Sequence, residues 1–159
     1  MDNSSTRFRL PVAKEGLPFI MIGAGITLLL WVLGLVWLPV AAGMGTLFVV
    51  FFFRDPERIT PKDPKLVLSP ADGRVLEVVT VPGDDNPLGE PAVKVSIFMS
   101  VFNVHVNRIP VDCVVEEIRY HPGKFLSADL DKASSENERN LVILTTHDSR
   151  RIGVTQVAG

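Results

Sequence analysis

The sequence predicts a mainly β (α+β) fold, in which an N-terminal apolar helical hairpin precedes a compact β-rich domain. Positions 17–53 contain no charged side chain, which favours apolar helices. The chain beyond position 65 instead consists of short β-rich runs that alternate with turn signals. Prolines between these two regions favour an extended linker, because proline cannot continue a helix.

The uncharged run predicts a membrane-anchoring helical hairpin over 17–53. A straight helix of this length would measure about 55 Å, against a bilayer core of about 30 Å. Pro39 and the nearby glycines offer a break, so we expect a first helix to about position 36, a turn at 37–39 and a second helix to position 53. A signal peptide cleaved near Val40-Ala41-Ala42 and a hairpin buried in a soluble core are the alternatives.

Cations flank the hairpin on both sides: Arg7, Arg9 and Lys14 before it, and Arg54 and Arg58 after it. The positive-inside rule places segments rich in Lys and Arg in the cytoplasm. We therefore expect the N-terminal tail, 1–16, and the β-rich domain to lie on the cytoplasmic side of the cytoplasmic (inner) membrane.

The region after the hairpin divides into a Pro-rich linker, 54–65, and a β-rich domain, 66–159. Strands are expected where β-branched residues run between turn signals such as Asp72-Gly73 and Pro122-Gly123. The expected strands are 66–69, 74–81, 92–98, 111–120, 141–146 and 152–157. The polar stretch 134–140 is expected to be a loop or a short helical turn.

Composition excludes several classes of function. Lys plus Arg is 16 and Asp plus Glu is 18, a formal charge of −2, which excludes a broadly basic nucleic-acid binder. The single cysteine, Cys113, excludes an internal disulfide framework and a multi-cysteine zinc module. The three histidines lack the i, i+4 spacing of a zinc helix, so no metal site is predicted.

Two polar residues in otherwise apolar surroundings are the candidates for chemistry. Asp72 lies in the segment SPADG, and His105 lies in FMSVFNVHVNRIP. Each has a structural alternative, since Asp-Gly is a common turn and a histidine in a strand is often only a hydrogen-bonded residue. With a nearby hydroxyl, an Asp/His pair would activate a nucleophile. The residues alone therefore predict a membrane-anchored β domain with an Asp/His candidate pair.

Six segments follow one another in a specific order along the chain: FFFRDPERITP, LSPADGRV, FMSVFNVHVNRIP, YHPGKF, ASSENERN and VTQVAG. Their order and spacing resemble the short, prokaryotic type of the phosphatidylserine decarboxylase proenzyme family. The resemblance covers nearly the whole chain and implies a decarboxylase-like β domain. We expect this domain to be incomplete at its C-terminus, because the chain contains no Gly-Ser dipeptide, the motif at which the family cuts itself.

The resemblance implies a pyruvoyl-dependent enzyme that decarboxylates phosphatidylserine to phosphatidylethanolamine in phospholipid biosynthesis. The proenzyme cuts itself before a serine, which becomes a covalently bound pyruvate, the pyruvoyl group, and acts as an electron sink. This serine is expected outside these 159 residues, so the chain alone is expected to be inactive. The implied partners are the serine lipid, the membrane and the α chain produced by self-cleavage. No nucleic-acid partner is expected, and a homo-oligomer is left open.

Carried over by position, the resemblance implies that Asp72 is the acidic member of the self-cleavage triad and that His105 is its histidine. His105 would also donate a proton during decarboxylation. Charge alone suggests Arg108, Lys124 and Arg139 as ligands of the lipid phosphate. Two alternatives stay open: archaetidylserine as the substrate, and a non-catalytic membrane-tethered β module or inactive remnant of the family.

Overall fold

A computed structural model describes residues 11–61, 63, 66–126 and 136–159. The chain divides into two compact units. The helical unit contains the described residues up to position 61 together with Met99–Asn107, and the β unit contains those of Asp63–Phe98 and Arg108–Gly159. Helices precede strands along the described chain, which confirms the predicted α+β class.

Two apolar helices form the hairpin of the helical unit. α1 spans Leu17–Val32 and α2 spans Trp37–Phe52. Gly34 follows α1 with a positive φ of 73°, the left-handed conformation that often ends a helix at glycine. The turn expected at 37–39 is absent, because α2 already begins at Trp37. Pro39 falls in the first turn of α2, where backbone N–H groups have no intrahelical partner and proline is tolerated.

Small residues lie where the two helices pack. A Cβ on Gly23 would stand 2.6 Å from Thr46 Oγ1, and a Cβ on Gly43 would contact Thr27 Cγ2 at 3.7 Å. The hydroxyls of Thr27 and Thr46 each donate to a carbonyl one turn back in their own helix, at 2.8 Å. Close approach through small residues is typical of helices that associate in lipid.

Main-chain hydrogen bonds join the two ends of the hairpin. Ala13 N–H donates to Phe53 O, and Asp55 N–H donates to Pro11 O, each at 2.7 Å. The ring of Phe19 stacks on that of Phe53 with centroids 5.7 Å apart. The segments that enter and leave the hairpin therefore lie side by side.

Among the described residues, one helical segment is long and apolar enough to cross a membrane. It is Lys14–Val32, with 19 residues and a mean hydropathy of 1.8, and only 6% of its apolar window is buried. Trp37–Phe52 is apolar but shorter. Lys14–Val32 thus agrees with a membrane-spanning helix in its length and its composition.

The β unit contains two antiparallel sheets within its described ranges. In the first sheet, β1 (Arg74–Val81) pairs with β2 (Ala92–Phe98). The second sheet has the order β3-β4-β5, formed by Cys113–His121, Arg139–Thr146 and Arg151–Val157. β4 is central, and its side chains Leu141, Ile143 and Leu144 are buried.

The strand predicted at 66–69 is not a regular strand. Leu68 N–H donates to Pro110 O at 2.9 Å, and Arg108 N–H donates to Pro70 O at 2.8 Å. Pro70 and Pro110 have no backbone N–H, so neither can donate the second hydrogen bond of its residue pair. The two segments therefore do not form a regular β-ladder.

The other predicted strands are present, with ends that differ by no more than two residues. Positions 134 and 135 of the predicted polar loop lie outside the described residues, as do positions 1–10 of the predicted tail. β4 begins at Arg139, so the last two positions of that predicted loop are strand instead.

Candidate active site

Asp72 lies in the bend that leads into β1. It is half-buried, and β1 begins two positions later at Arg74. The hydroxyl of Ser69 donates to Ala71 O at 2.8 Å, which closes the turn just before the aspartate. The local sequence therefore builds this bend by a side-chain hydrogen bond to its own backbone.

Gly73 is required by the way β1 meets β2. Arg74 pairs with Phe98, so a Cβ at Gly73 would collide with the Phe98 carbonyl oxygen and stand 2.9 Å from Ile97 Cγ2. A glycine at this position permits the close approach of the two backbones. The chain therefore enters β1, directly after Asp72, at the same end of the sheet where it leaves β2.

His105 lies in the histidine loop, Met99–Asn107, which belongs to the helical unit. The loop opens with a turn in which Asn103 N–H donates to Ser100 O at 2.9 Å. Ser100 N–H and Ser100 Oγ both donate back to Asn103 Oδ1, at 2.8 and 2.9 Å. The side chain of Asn103 thus fixes the turn that precedes the histidine.

The imidazole of His105 contacts two residues of the same unit. Its Nδ1 lies 3.1 Å from Asn103 O, a distance at which a protonated Nδ1 donates a hydrogen bond to the carbonyl. Its ring stacks on Phe52 with centroids 4.3 Å apart and planes at 26°. A neutral histidine whose Nδ1–H is held by a carbonyl has Nε2 as its proton acceptor. The geometry therefore suits a general base that acts through Nε2.

Main-chain hydrogen bonding joins the segments that flank the two motifs. Arg108 follows the histidine loop directly and donates its N–H to Pro70 O, two positions before Asp72. Both partners of this hydrogen bond belong to the β unit. Asp72 belongs to the β unit and His105 to the helical unit, so the pairing of their side chains stays a prediction.

Two of the predicted phosphate ligands belong to the region of the three-stranded sheet. Lys124 follows β3 in the chain, and Arg139 lies in β4. Lys124 Nζ forms an ion pair with Glu136 Oε2 at 2.7 Å, and this hydrogen bond and charge raise the pKa of Lys124. Arg139 is the first residue of β4 and lies opposite His121 of β3. Arg108, the residue directly after the histidine loop, is half-buried. A phosphate would compete with Glu136 for Lys124, and the three ligand roles stay predictions.

Phe52 and Asn103 were not predicted as site residues, and Arg54 was noted only as a cation that flanks the hairpin. All three contact the histidine loop or shape it. Arg54 Nη2 donates to Phe102 O at 2.6 Å across 48 sequence positions, a separation that no periodicity or local motif spans. The turn built by Asn103 has a local signal, since a Ser and an Asn three positions apart often bond each other's backbone.

The described residues place a proton acceptor, His105, and a carboxylate, Asp72, in these two motifs, and three of their serine hydroxyls are engaged in hydrogen bonds. The hydroxyls of Ser69, Ser96 and Ser100 each donate to a protein acceptor, and none of these serines follows a glycine. No group of three or more His, Cys, Asp or Glu able to hold a metal ion occurs within the described ranges. A proton acceptor and a carboxylate are groups suited to proton transfer.

Nearly the whole chain is similar to known proteins. Residues 46–159 match the family model described as phosphatidylserine decarboxylase. A phosphatidylserine decarboxylase proenzyme of Syntrophus aciditrophicus is 50% identical over an alignment of 154 residues, which covers 93% of this chain and 70% of the relative. Another, of Cereibacter sphaeroides, is 47% identical over an alignment of 157 residues, which covers 96% of this chain and 66% of the relative. The chain thus spans only part of the length of both relatives.

Proposed function

The chain belongs to the phosphatidylserine decarboxylase family, and on this premise we propose that it forms the proton-transfer part of a self-processing, pyruvoyl-dependent decarboxylase. The proposed reaction removes carbon dioxide from the serine headgroup of phosphatidylserine and leaves phosphatidylethanolamine, a step of phospholipid biosynthesis. The observation that carries the proposal is the contact between His105 Nδ1 and Asn103 O, because it directs Nε2 toward the role of base.

His105 is the proposed general base of self-cleavage. A serine hydroxyl attacks a carbonyl efficiently only when a base takes its proton. With Nδ1–H bound to the Asn103 carbonyl, Nε2 carries the lone pair that accepts this proton. The same nitrogen, once protonated, would return a proton to the product after carbon dioxide leaves, which is the second role proposed for His105.

Asp72 is the proposed carboxylate partner of this base. The Asn103 carbonyl already holds the imidazole Nδ1, so Asp72 is not needed to select the tautomer. Its proposed role is to stabilise the positive charge that develops on His105 when the proton arrives. Replacing Asp72 by Asn should therefore slow self-cleavage less than replacing His105 by Ala.

The pyruvoyl group would supply an electron sink for decarboxylation. The chain contains no Gly-Ser dipeptide, the motif at which the family cuts itself, so these residues offer no precursor of the group. We therefore propose that the serine lies in a part of the proenzyme beyond these residues. The α chain released by self-cleavage would carry the group and remain associated with this chain.

A location at the cytoplasmic membrane, with the β unit on the cytoplasmic side, is also part of the proposal. Lys14–Val32 has the length and hydropathy of a membrane span, and the helices meet through Gly23 and Thr46 as helices in lipid often do. Membrane attachment suits a substrate whose acyl chains stay in the bilayer. Archaetidylserine carries the same serine headgroup and is the alternative substrate.

The lipid phosphate is the proposed ligand of the three cations named above. Arg108 has the strongest case, because its main chain is bonded to Pro70 beside Asp72. Lys124 would have to exchange Glu136 for the phosphate. Neutralising Arg108 should therefore raise KM for the lipid more than neutralising Lys124.

Intact mass spectrometry of the proenzyme expressed from its complete coding region would test the proposal. We expect two fragments, the smaller with a pyruvoyl-blocked N-terminus, and release of carbon dioxide from vesicles that contain phosphatidylserine. His105→Ala should slow self-cleavage by about 10² to 10⁴, the usual contribution of a general base. His147→Ala is the matched control, since His147 is an exposed histidine in the turn between β4 and β5.

The outcomes separate the proposal from its alternative. A single uncut polypeptide from the complete coding region would favour the non-catalytic β module. Normal cleavage in both His105→Ala and Asp72→Asn would show that these two residues are not the proton-transfer pair.

A further inference from the structure

The C-terminal end of α2 lies directly against the histidine loop. Both belong to the helical unit. α2 ends at Phe52, and Arg54 follows two positions later. Each of these residues contacts the histidine loop through a different kind of interaction, so the helix end and the loop are joined by more than chain connectivity.

Phe52 contacts the imidazole itself. The two rings stack at 4.3 Å between centroids, and both residues are half-buried. Phe52 is held in turn by the edge of Phe53, whose centroid lies 5.1 Å away at 76°. Phe53 stacks on Phe19 of α1. An aromatic chain therefore runs from the first helix of the hairpin to His105.

Arg54 holds the backbone of the loop. Its Nη2 donates to Phe102 O at 2.6 Å, and its Nη1 donates to Phe51 O at 2.8 Å. The guanidinium also lies over the Phe51 ring, 3.9 Å from the centroid. One side chain thus joins a carbonyl at the end of α2 to the carbonyl that precedes Asn103.

Asn103 completes the arrangement. Its backbone carbonyl faces His105 Nδ1, while its side chain accepts two hydrogen bonds from Ser100. The neighbouring carbonyl, of Phe102, is bound by Arg54. The hydrogen bond from Arg54 fixes the peptide group that contains the Phe102 carbonyl. Because only the two backbone dihedrals of Asn103 separate it from the next peptide group, the orientation of the Asn103 carbonyl is restricted as well.

We infer that Phe52 and Arg54 are positioning residues for His105, so that the end of the apolar hairpin orients the proton acceptor of the enzyme. This inference rests on the proposed function, because it assigns its effect to a histidine that transfers protons. Phe52 restricts the ring by stacking, and Arg54 restricts the peptide whose neighbour binds Nδ1. Neither residue is assigned a contact with substrate.

The test uses the full-length proenzyme in lipid and follows the rate of self-cleavage. Phe52→Leu keeps an apolar residue at the end of α2 but removes the aromatic face, and should slow cleavage about three- to tenfold, the effect of one aromatic stack. Phe52→Tyr keeps the stack and should retain the wild-type rate. Phe48→Leu is the matched control, one turn earlier on the same helix, and should also cleave at the wild-type rate.

Arg54 has its own pair of variants. Arg54→Gln should slow cleavage about tenfold, because it loses the charge-assisted bonds to two carbonyls. Arg54→Lys should recover only part of that loss, since one ammonium cannot reproduce the fixed fork of a guanidinium.

A spectroscopic measurement separates positioning from general stability. His105 ring protons in the wild type should show the ring-current shift of a stacked phenylalanine. The shift should persist in Phe52→Tyr and Phe48→Leu and disappear in Phe52→Leu. Selective histidine labelling, with His105→Ala to assign the resonance, would give this signal.

The outcomes are distinguishable from those of the proposed function. If His105→Ala blocks cleavage but Phe52→Leu and Phe48→Leu cleave equally fast, the positioning role is wrong and the proposed function stands. If Phe52→Tyr is as slow as Phe52→Leu, the aromatic stack is not what orients the ring. If the wild-type proenzyme is not cleaved, the proposed function fails and the positioning role fails with it.

Discussion

The hairpin and the three-stranded sheet place their large apolar side chains differently. In the hairpin, large apolar side chains point outward, as Met21, Trp37 and Leu47 do at 74%, 82% and 69% exposure, while glycines and threonines lie at the helix contact. In the β unit, Ile143 and Leu144 of β4 are fully buried. β3 also exposes apolar side chains, but it pairs with the buried β4, whereas β1 belongs to the separate two-stranded sheet.

This difference indicates what stabilises each unit. Burial of β4 removes apolar area from water, so the hydrophobic effect stabilises the three-stranded sheet. The hairpin gains little in this way, and its helices are held by close packing and by internal hydrogen bonds. The contrast supports the proposal that the hairpin lies in lipid, where outward-facing large side chains carry no penalty.

The largest effect on stability is expected at Gly123, where the segment after β3 contacts the backbone just before β4. A Cβ on Gly123 would stand 2.5 Å from backbone atoms of Glu136, Asn137 and Glu138. The fully buried Asn137 cannot yield, because its amide donates to Leu126 O and Ala158 O. Gly123→Ala should therefore destabilise the β unit by about 3 kcal/mol.

Hydrogen exchange of the β4 amides in the full-length protein would measure this loss. Gly153→Ala is the control, since its Cβ would meet only side-chain atoms at 3.6 Å or more. Equal protection in both variants would mean that the backbone around Gly123 accommodates a Cβ, contrary to the close contacts observed.

A smaller effect is expected within the hairpin. Gly23→Ala forces Thr46 away from its present position, where its hydroxyl donates to Ala42 O. Gly25→Ala has no atom within 4 Å of the new Cβ, so it gains helix propensity without crowding. Gly23→Ala should therefore be less stable than Gly25→Ala by about 1 to 2 kcal/mol. Loss of helical structure during detergent titration would compare them, and equal stability would contradict the observed helix contact.

The smallest effect is expected at the exposed turn between β4 and β5. Asp148 binds Arg150 and accepts a hydrogen bond from Thr146, which lowers its pKa to about 2. Because the folded pKa lies below the usual value, the ionised carboxylate stabilises the fold above about pH 4, and this contribution disappears as the pH falls through about 2. Asp148→Asn should therefore lower the unfolding temperature slightly at pH 7.

The pH dependence provides the check on that turn. The difference in unfolding temperature between the wild type and Asp148→Asn should close between about pH 4 and pH 2. A constant difference across this range would exclude the carboxylate charge as its cause.

Local chemistry predicted most of the fold. The uncharged run gave two helices, and β-branched runs between turns gave β1 and β2 with the observed ends. The start of α2 was missed because Pro39 suggested a break, whereas a first-turn proline has no hydrogen bond to lose. The strand at 66–69 was overpredicted because Pro70 and Pro110 deprive the pairing of two donors.

Less of the candidate site than of the fold could be predicted from the sequence. Asp72 and His105 were identified by resemblance, and their residue types agree with proton transfer. The linker, β1 and β2 lie along the chain between Arg54 and the histidine loop, so the contacts of Phe52 and Arg54 with that loop are not local in sequence. Neither residue differs in sequence pattern from the other apolar and basic residues that end a helix, so a single sequence carries no signal for their contacts.

The length of α2 has a consequence for the lipid itself. Its 16 residues measure about 24 Å, shorter than a bilayer core of about 30 Å. With the hairpin in a bilayer, as proposed, this hydrophobic mismatch would draw the helix end inward or thin the surrounding membrane. His105 is stacked on the last residue of that helix, so its depth relative to the headgroups would follow the thickness of the bilayer. Acyl-chain length would then be a determinant of turnover, even though the chemistry takes place entirely on the headgroup.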